Sequence, residues 1–380
     1  MDQPQAGQRV YLHVGVPKSG TTFVQVSLLE NRKDLREAGV LYPGGNERMF
    51  LAALDVRGNH KSWGRKRAEV SGCWDELCRR ARKHDGATVI SHELLAAAST
   101  HQITAAVTML KGLDVHIVVT ARDPARQAAA EWQEGIKHGR ILTFDEFRGR
   151  VLDAESETDY ARRFRASQDL PAVLARWASA VPAGNVHVVP VPPSLADRDL
   201  LWRRFADIVG FDPERFAPAG PDSANASLGT AEVDLLRRVN VALDRRLVQP
   251  EYGRVVKQLY AQRLLAAHHS PRPVVPVDMY DDLAVIGERW AKEIDKAGYT
   301  VHGDLAHLVP TAPDGPASHP DDVDPRLQVE AAAVTTAELL VEVQRGRAEI
   351  ARLEKDKKSL KKRRKLLKRR LRKAEAGTAE

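Results

Sequence analysis

The sequence predicts an α/β fold in which helices cover both faces of a central parallel sheet. Segments rich in Val, Ile and Leu alternate with helical segments through the first half of the chain, as in folds built from β-α units. The 380 residues suffice for one large α/β domain and an appendage. Polar clusters follow three of the predicted strands, at the sheet edge where ligands bind in such folds.

The first predicted strand, residues 10–14, leads through a short loop into a helix. The loop reads Pro-Lys-Ser-Gly-Thr-Thr over residues 17–22. A loop of this kind points backbone N–H groups and a helix N-terminus at one spot, which favours an anion such as phosphate. Gly20 allows close approach of the backbone, and Lys18 adds a mobile positive charge. The expected ligand-binding residues are Pro17, Lys18, Ser19, Gly20, Thr21 and Thr22.

Two further strands are predicted to end in polar residues. Residues 87–90 lead into Ser-His-Glu, and residues 115–120 lead into Ala-Arg-Asp-Pro. His92 or Glu93 can accept a proton near neutral pH if its surroundings set a suitable pKa. Because strand neighbours point to opposite sides, we expect only one of them to face the cleft. Glu93 has an alternative role as a helix N-terminal acid that complements the helix dipole.

Arg122 follows the strand at residues 115–120 and suits a terminal phosphate. Its guanidinium group can donate two parallel hydrogen bonds to such a group. The alternative is a structural ion pair between Arg122 and Asp123 or another carboxylate. A fourth core strand is predicted at residues 186–191.

The rest of the globular part is predicted to be mainly helical. Its helical patterns cover residues 200–209, 230–243, 255–267 and 279–296. Residues 44–67 mix Gly, Asn, Arg and Lys, and we expect a long surface loop that shapes a binding pocket. A stretch rich in Pro, Asp and Gly marks a linker. We therefore divide the chain into an α/β domain (1–309), a linker (310–326) and a basic helical tail (327–380).

The tail carries the positive charge of the protein. The net charge is +7, but residues 355–373 contribute +12 from thirteen Lys and Arg and one Asp, so the remainder is −5. Leu353, Leu360 and Leu367 follow a seven-residue spacing, whereas Lys357 and Arg364 occupy positions of the companion seam. The pattern is consistent with self-association in a coiled coil, with a helix on an anionic membrane surface, or with a solvated charged helix. The absence of aromatic residues among the cations disfavours stacking on nucleic-acid bases.

The loop resembles that of a known enzyme family. Gly15 and Gly20 have the spacing of the nucleotide-triphosphate P-loop, but Thr21 replaces its lysine, which lies inside the loop at Lys18. Residues 16–22 instead resemble the 5′-phosphosulfate loop of sulfotransferases that use PAPS (3′-phosphoadenosine 5′-phosphosulfate). The segment around Arg122 resembles the family's 3′-phosphate-binding segment. The resemblance covers residues 9–309.

This resemblance implies a P-loop-like three-layer fold and a transferase that moves a sulfuryl group from PAPS to a hydroxyl of a sugar, glycan or small molecule. Lys18 would stabilise the departing phosphate, and no metal is required. Either His92 or Glu93 would be the catalytic base, and the Ser-x-Glu pattern favours Glu93. Arg122 would bind the 3′-phosphate.

The sequence departs from the family at one position. The family usually has a serine eight residues after the arginine, where this chain has Ala130. This leaves open a decayed nucleotide-binding scaffold assembled through a coiled coil. An ATP-dependent small-molecule kinase is a further alternative, and Mg²⁺ dependence would distinguish it.

The expected location is the cytoplasm, with the tail able to hold the protein at the membrane periphery. The two cysteines, Cys73 and Cys78, are too few for a disulfide framework. The first nine residues lack the apolar core of a signal peptide.

Overall fold

The computed structural model describes residues 7–193, 198–220, 227–268, 270–313 and 319–377. Its strands are β1 (Arg9–His13), β2 (Val40–Leu41), β3 (Ala87–Ser91), β4 (Asp114–Ala121), β5 (Val186–Pro190) and β6 (Thr300–Val301). They form one sheet in the order β2-β3-β1-β4-β5-β6, and all neighbouring strands are parallel. The predicted α/β fold with a central parallel sheet flanked by helices is therefore confirmed.

Fourteen α-helices are present in the described residues. They are α1 (Thr21–Glu30), α2 (Arg32–Glu37), α3 (Asn46–Arg57), α4 (Arg67–Val70), α5 (Cys73–Arg82), α6 (Thr100–Thr108), α7 (Pro124–Lys137), α8 (Phe144–Phe147), α9 (Asp159–Gln168), α10 (Leu170–Ala178), α11 (Arg198–Val209), α12 (Thr230–Leu243), α13 (Tyr280–Ala297) and α14 (Pro325–Gly377). Two π-helical segments occur at Arg148–Leu152 and Gly253–Leu264.

The main core lies around the sheet. Strand β4 contributes Ile117, Val118 and Val119, all fully buried. Runs of apolar residues without polar alternation are typical of parallel strands that are covered on both faces. The central position of β1, between β3 and β4, brings the carboxyl ends of these three strands together.

A second core lies between α7 and the helices that follow it. One stripe of α7 packs into it through Ala125, Ala128, Ala129, Trp132 and Ile136. This i, i+3, i+4, i+7 spacing buries one side of the helix. The opposite side of α7 is therefore directed back to the carboxyl ends of the strands.

Three elements differ from the sequence-based expectation. Residues 44–67 do not form an irregular loop, because α3 buries Met49, Ala52 and Leu54 and ends at Gly58 in a left-handed conformation. The prediction of a loop relied on the polar composition of this stretch and overlooked the helical spacing of its apolar residues. The helix predicted at 255–267 is mostly π-helical, and strand β6 was not predicted because it has only two residues.

The first turns of α14 pack on the body, where Ala331 and Thr335 are buried. Its neighbours there are α12 and the π-helical segment Gly253–Leu264. Within the described ranges, no helix combines the length and apolar character needed to cross a bilayer.

Candidate active site

The loop between β1 and α1 turns through three left-handed residues, Gly15, Lys18 and Gly20. Lys18 has a φ of 66° and Gly20 a φ of 90°. The φ of Gly20 disfavours a residue with a Cβ, and an added Cβ would also lie 2.5 Å from Cδ2 of Leu201, which would have to move. A left-handed lysine is uncommon, and such strain is typical of functional sites. No described side chain caps the start of α1, so its first N–H groups remain available to an anion.

A chain of buried hydrogen bonds connects this loop to strands β1, β3 and β4 of the sheet. The hydroxyl of Ser19 donates to the Val16 carbonyl at 2.6 Å and also contacts Thr120 Oγ1 at 2.6 Å. His13 lies between Thr120 Oγ1, 3.1 Å from Nε2, and Ser91 Oγ, 2.9 Å from Nδ1. The hydroxyl of Ser19 is therefore occupied by hydrogen bonds within the protein, and only its backbone N–H can contact a ligand.

The same chain continues to the end of β3. Gln25 Nε2 donates to Ser91 Oγ at 3.2 Å and to Glu93 Oε2 at 3.1 Å. Glu93, the candidate base, is thus connected to the loop at residues 17–22 through side chains of β1, β3, β4 and α1. Sequence reasoning missed His13 and Gln25, because neither belongs to a recognisable motif.

His13 makes the stability of the protein depend on pH. Burial lowers its pKa from 6.5 to about 4, although Glu93 acts in the opposite direction. The unfolded chain therefore binds the proton more tightly, and stability is lost as pH falls from about 6.5 to about 4. The full loss from this residue is about 3 kcal/mol.

We expect the free energy of unfolding, measured with urea between pH 7 and pH 4, to fall more steeply in the wild type than in His13→Gln. Burial also lowers the pKa of His187 to about 4. The His13→Gln variant should therefore keep part of the pH dependence of its unfolding free energy. The exposed His101 supplies the control, His101→Gln, which should follow the wild-type slope. An unchanged slope in His13→Gln would contradict the assignment.

His92 and Glu93 follow β3 and begin a short 3₁₀ helix, Glu93–Ala97. His92 Nδ1 accepts a hydrogen bond from the Leu94 backbone N–H at 3.2 Å. In the neutral ring Nε2 then carries the proton, so the free nitrogen is a donor and not a base. Burial would raise the pKa of Glu93, but His92, the backbone and Gln25 together hold it below its ordinary value. Glu93 is therefore ionised at neutral pH.

Arg122 lies at the end of β4 and faces the same space. Its Nη1 donates to the Lys18 carbonyl at 3.3 Å, while its buried Nε has no partner among the described residues. Burial and the neighbouring Arg126 lower the pKa of Arg122 to about 10, so it remains cationic. Asp123 pairs with Arg126, not with Arg122. The orphaned Nε marks Arg122 as a donor that an anionic ligand can satisfy.

A cluster of charged groups surrounds Glu134 on α7. One of its oxygens, Oε2, contacts Lys18 Nζ at 2.9 Å, and the other contacts Lys257 Nζ at 2.6 Å and His138 Nε2 at 3.1 Å. Burial would raise the pKa of Glu134, but His138 and the two lysines lower it well below its ordinary value. Because Glu134 is ionised, the ion pair also raises the pKa of Lys18 in spite of burial. Lys18 is thus fully charged and held beside its loop.

Glu131 lies one helical turn before Glu134. Burial raises its pKa to about 7, with Glu134 and Glu93 acting in the same direction and Lys18 opposing them. A carboxyl group in this range can exchange a proton at neutral pH. Glu131 is therefore a second carboxyl group of the site that is suited to accept a proton, and sequence reasoning did not identify it.

These groups line one pocket of about 670 Å³. Its walls include every residue predicted from the sequence: Pro17, Lys18, Ser19, Gly20, Thr21, Thr22, His92, Glu93 and Arg122. The structure adds Glu131 and Glu134 from α7, His138 directly after that helix, and Lys257 from the π-helical segment. The acidic residues of α7 could be found from their spacing on one face of a helix, whereas no sequence signal marks Lys257.

Residues 44–67 form the far wall of the pocket. Phe50 and Trp63 pack edge to face with their ring centroids 5.2 Å apart, and Trp63 also contacts the ring of His138. Phe50 and Trp63 both line the pocket. An aromatic wall beside several carboxylates suits a ligand with apolar ring faces and hydroxyl groups.

No protein-family model matches the sequence, and no curated protein matches it significantly. The structure is similar to that of a sulfotransferase from Alicyclobacillus acidocaldarius, with 16% sequence identity and a TM-score of 0.38. The match covers 63% of this chain and 94% of the other.

Proposed function

We propose that this protein is a PAPS-dependent sulfotransferase that acts on a hydroxyl of a sugar, glycan or small molecule. One observation supports this most strongly: two separate anion-binding features face one pocket. They are the uncapped start of α1 with Lys18, and Arg122 with its unpartnered Nε. A nucleotide that carries phosphates at both its 5′ and 3′ positions matches two such features.

The residues of the pocket fit the donor. The loop at Pro17–Thr22 would hold the 5′-phosphosulfate through backbone N–H groups and the side chains of Lys18 and Thr22. Arg122 would pair with the 3′-phosphate and so satisfy its Nε. When bound, PAPS supplies the sulfuryl group and a stable leaving phosphate. We assign this activity to residues 1–309, joined by the linker 310–326 to the tail 327–380.

The reaction balances as R–OH + PAPS → R–OSO₃⁻ + PAP + H⁺, where PAP is the desulfated nucleotide. A bond forms between sulfur and the acceptor oxygen, and the bond between sulfur and the 5′-phosphate oxygen breaks. Glu93 would take the acceptor proton, and Lys18 would stabilise the charge that grows on the leaving oxygen. His92 would not be the base, since its own lone pair is occupied by the backbone N–H of Leu94, and Gln25 would orient Glu93.

Calorimetric titration with PAP tests the nucleotide site. We expect metal-independent binding that Arg122→Ala weakens by about ten- to hundredfold, because a charged hydrogen-bonding partner of the 3′-phosphate is lost. Adenosine 5′-phosphate lacks that phosphate, so its weaker binding should change little in the variant. The exposed Arg36 on α2 supplies the control, Arg36→Ala.

The same titration separates the alternatives. Binding of Mg·ATP without binding of PAP would replace the sulfotransferase by a kinase. Binding of PAP without turnover over a broad panel of acceptors would favour a nucleotide-binding scaffold, in line with Ala130. Absence of binding to either nucleotide would reject the proposed site.

A further inference from the structure

The outer part of α14 stands clear of the body. Glu342 forms an ion pair with Arg263 of the π-helical segment. From residue 343 to residue 369 every side chain is exposed. These 27 positions of the helix are about 40 Å long at 1.5 Å per residue. This outer segment, residues 343–369, therefore offers its whole circumference to a partner.

One stripe of the outer segment alternates leucines with cations. Leu353, Leu360 and Leu367 are 53%, 66% and 55% exposed. Lys357 and Arg364 follow the first two of these leucines by four residues, so they lie on the same face. A row of exposed leucines along a helix indicates a contact surface, because apolar side chains are unfavourable in water.

A second copy of the chain does not fit this stripe well. In a parallel pair Lys357 and Arg364 would each face the same residue of the partner at the centre of the seam. Residues 357–373 contain no Asp or Glu. An in-register parallel pair therefore sets the cations of residues 357–373 against one another.

An anionic bilayer surface complements both features. The leucines can enter the boundary between head groups and acyl chains, while the Lys and Arg side chains extend their apolar stems and reach the phosphates. A nucleic acid would satisfy the charges but would leave the leucine row in water. We propose that the outer segment of α14 binds the protein to membranes that contain anionic lipids.

Co-sedimentation of the full chain with vesicles tests this inference. We expect binding to vesicles of phosphatidylcholine with phosphatidylserine to be at least about tenfold tighter than to phosphatidylcholine alone, and to weaken with salt. Replacing Leu353, Leu360 and Leu367 together by Ser should weaken binding about tenfold or more, although the charge is unchanged. Val285→Ser, on the exposed face of α13, is the matched control.

Three results would overturn the inference. The first is wild-type affinity of the triple Ser variant for anionic vesicles, which would show that the leucines make no contact. The second is tighter binding to double-stranded RNA than to anionic vesicles. The third is a dimer in sedimentation without lipid that the triple Ser variant loses. Circular dichroism of each variant verifies that the helix is retained. None of these measurements depends on the proposed enzymatic activity.

Discussion

Lys18→Ala is expected to lower kcat for sulfuryl transfer by on the order of 10²- to 10³-fold. Lys18 is the cation of the loop, and in the proposed function it stabilises the negative charge that grows on the leaving phosphate. Burial of the pocket strengthens this interaction relative to water. Single-turnover measurements with PAPS would separate the chemical step from nucleotide binding, which should weaken less.

Two variants make this prediction sharper. Glu134→Gln removes the ion-pair partner of Lys18 but leaves the lysine. If Lys18 acts on the leaving group, this variant should retain much more activity than Lys18→Ala. Equal losses in the two variants would instead indicate that the ion pair serves only the structure. Lys111→Ala, at an exposed position, is the control for loss of a lysine.

Glu93→Gln is expected to lower kcat by about 10²- to 10⁴-fold, because a general base contributes in this range. PAP affinity should stay within about twofold, since Glu93 removes a proton and does not hold the nucleotide. His92→Asn is the matched variant, because asparagine can cap the following backbone as His92 does. We expect it to lose far less activity. The opposite order of losses would make His92 the base.

The pH dependence of kcat/KM distinguishes Glu93 from Glu131. The pKa of Glu93 is held below its ordinary value, so activity should be retained on acidification until the pH falls below the usual carboxyl range. The pKa of Glu131 is raised to about 7. An acid limb near pH 7 that disappears in Glu131→Gln would transfer the role of base to Glu131.

Much of the site followed from local sequence. Strand-forming runs that end in Lys18–Thr22, in His92-Glu93 and in Arg122 identify the carboxyl ends of parallel strands, which meet at one edge of the sheet. The structure places all of these residues around one pocket. Whether they bind PAPS stays a prediction.

Other features depend on contacts between distant parts of the chain. Glu134 meets Lys18 across 116 residues and Lys257 across 123. His13 looks like any polar residue in a strand, yet its neighbours on β3 and β4 bury it completely.

The sequence by itself determined the fold class, the strand-loop-helix turn at residues 17–22 and the charge of the tail, because periodicity, turn residues and composition are local properties. Only the tertiary structure decided which side chains pair inside the pocket, which nitrogen of His92 is occupied, and which part of α14 is left exposed. These depend on how helices pack against the sheet, and packing is set by the shapes of residues that are far apart in sequence.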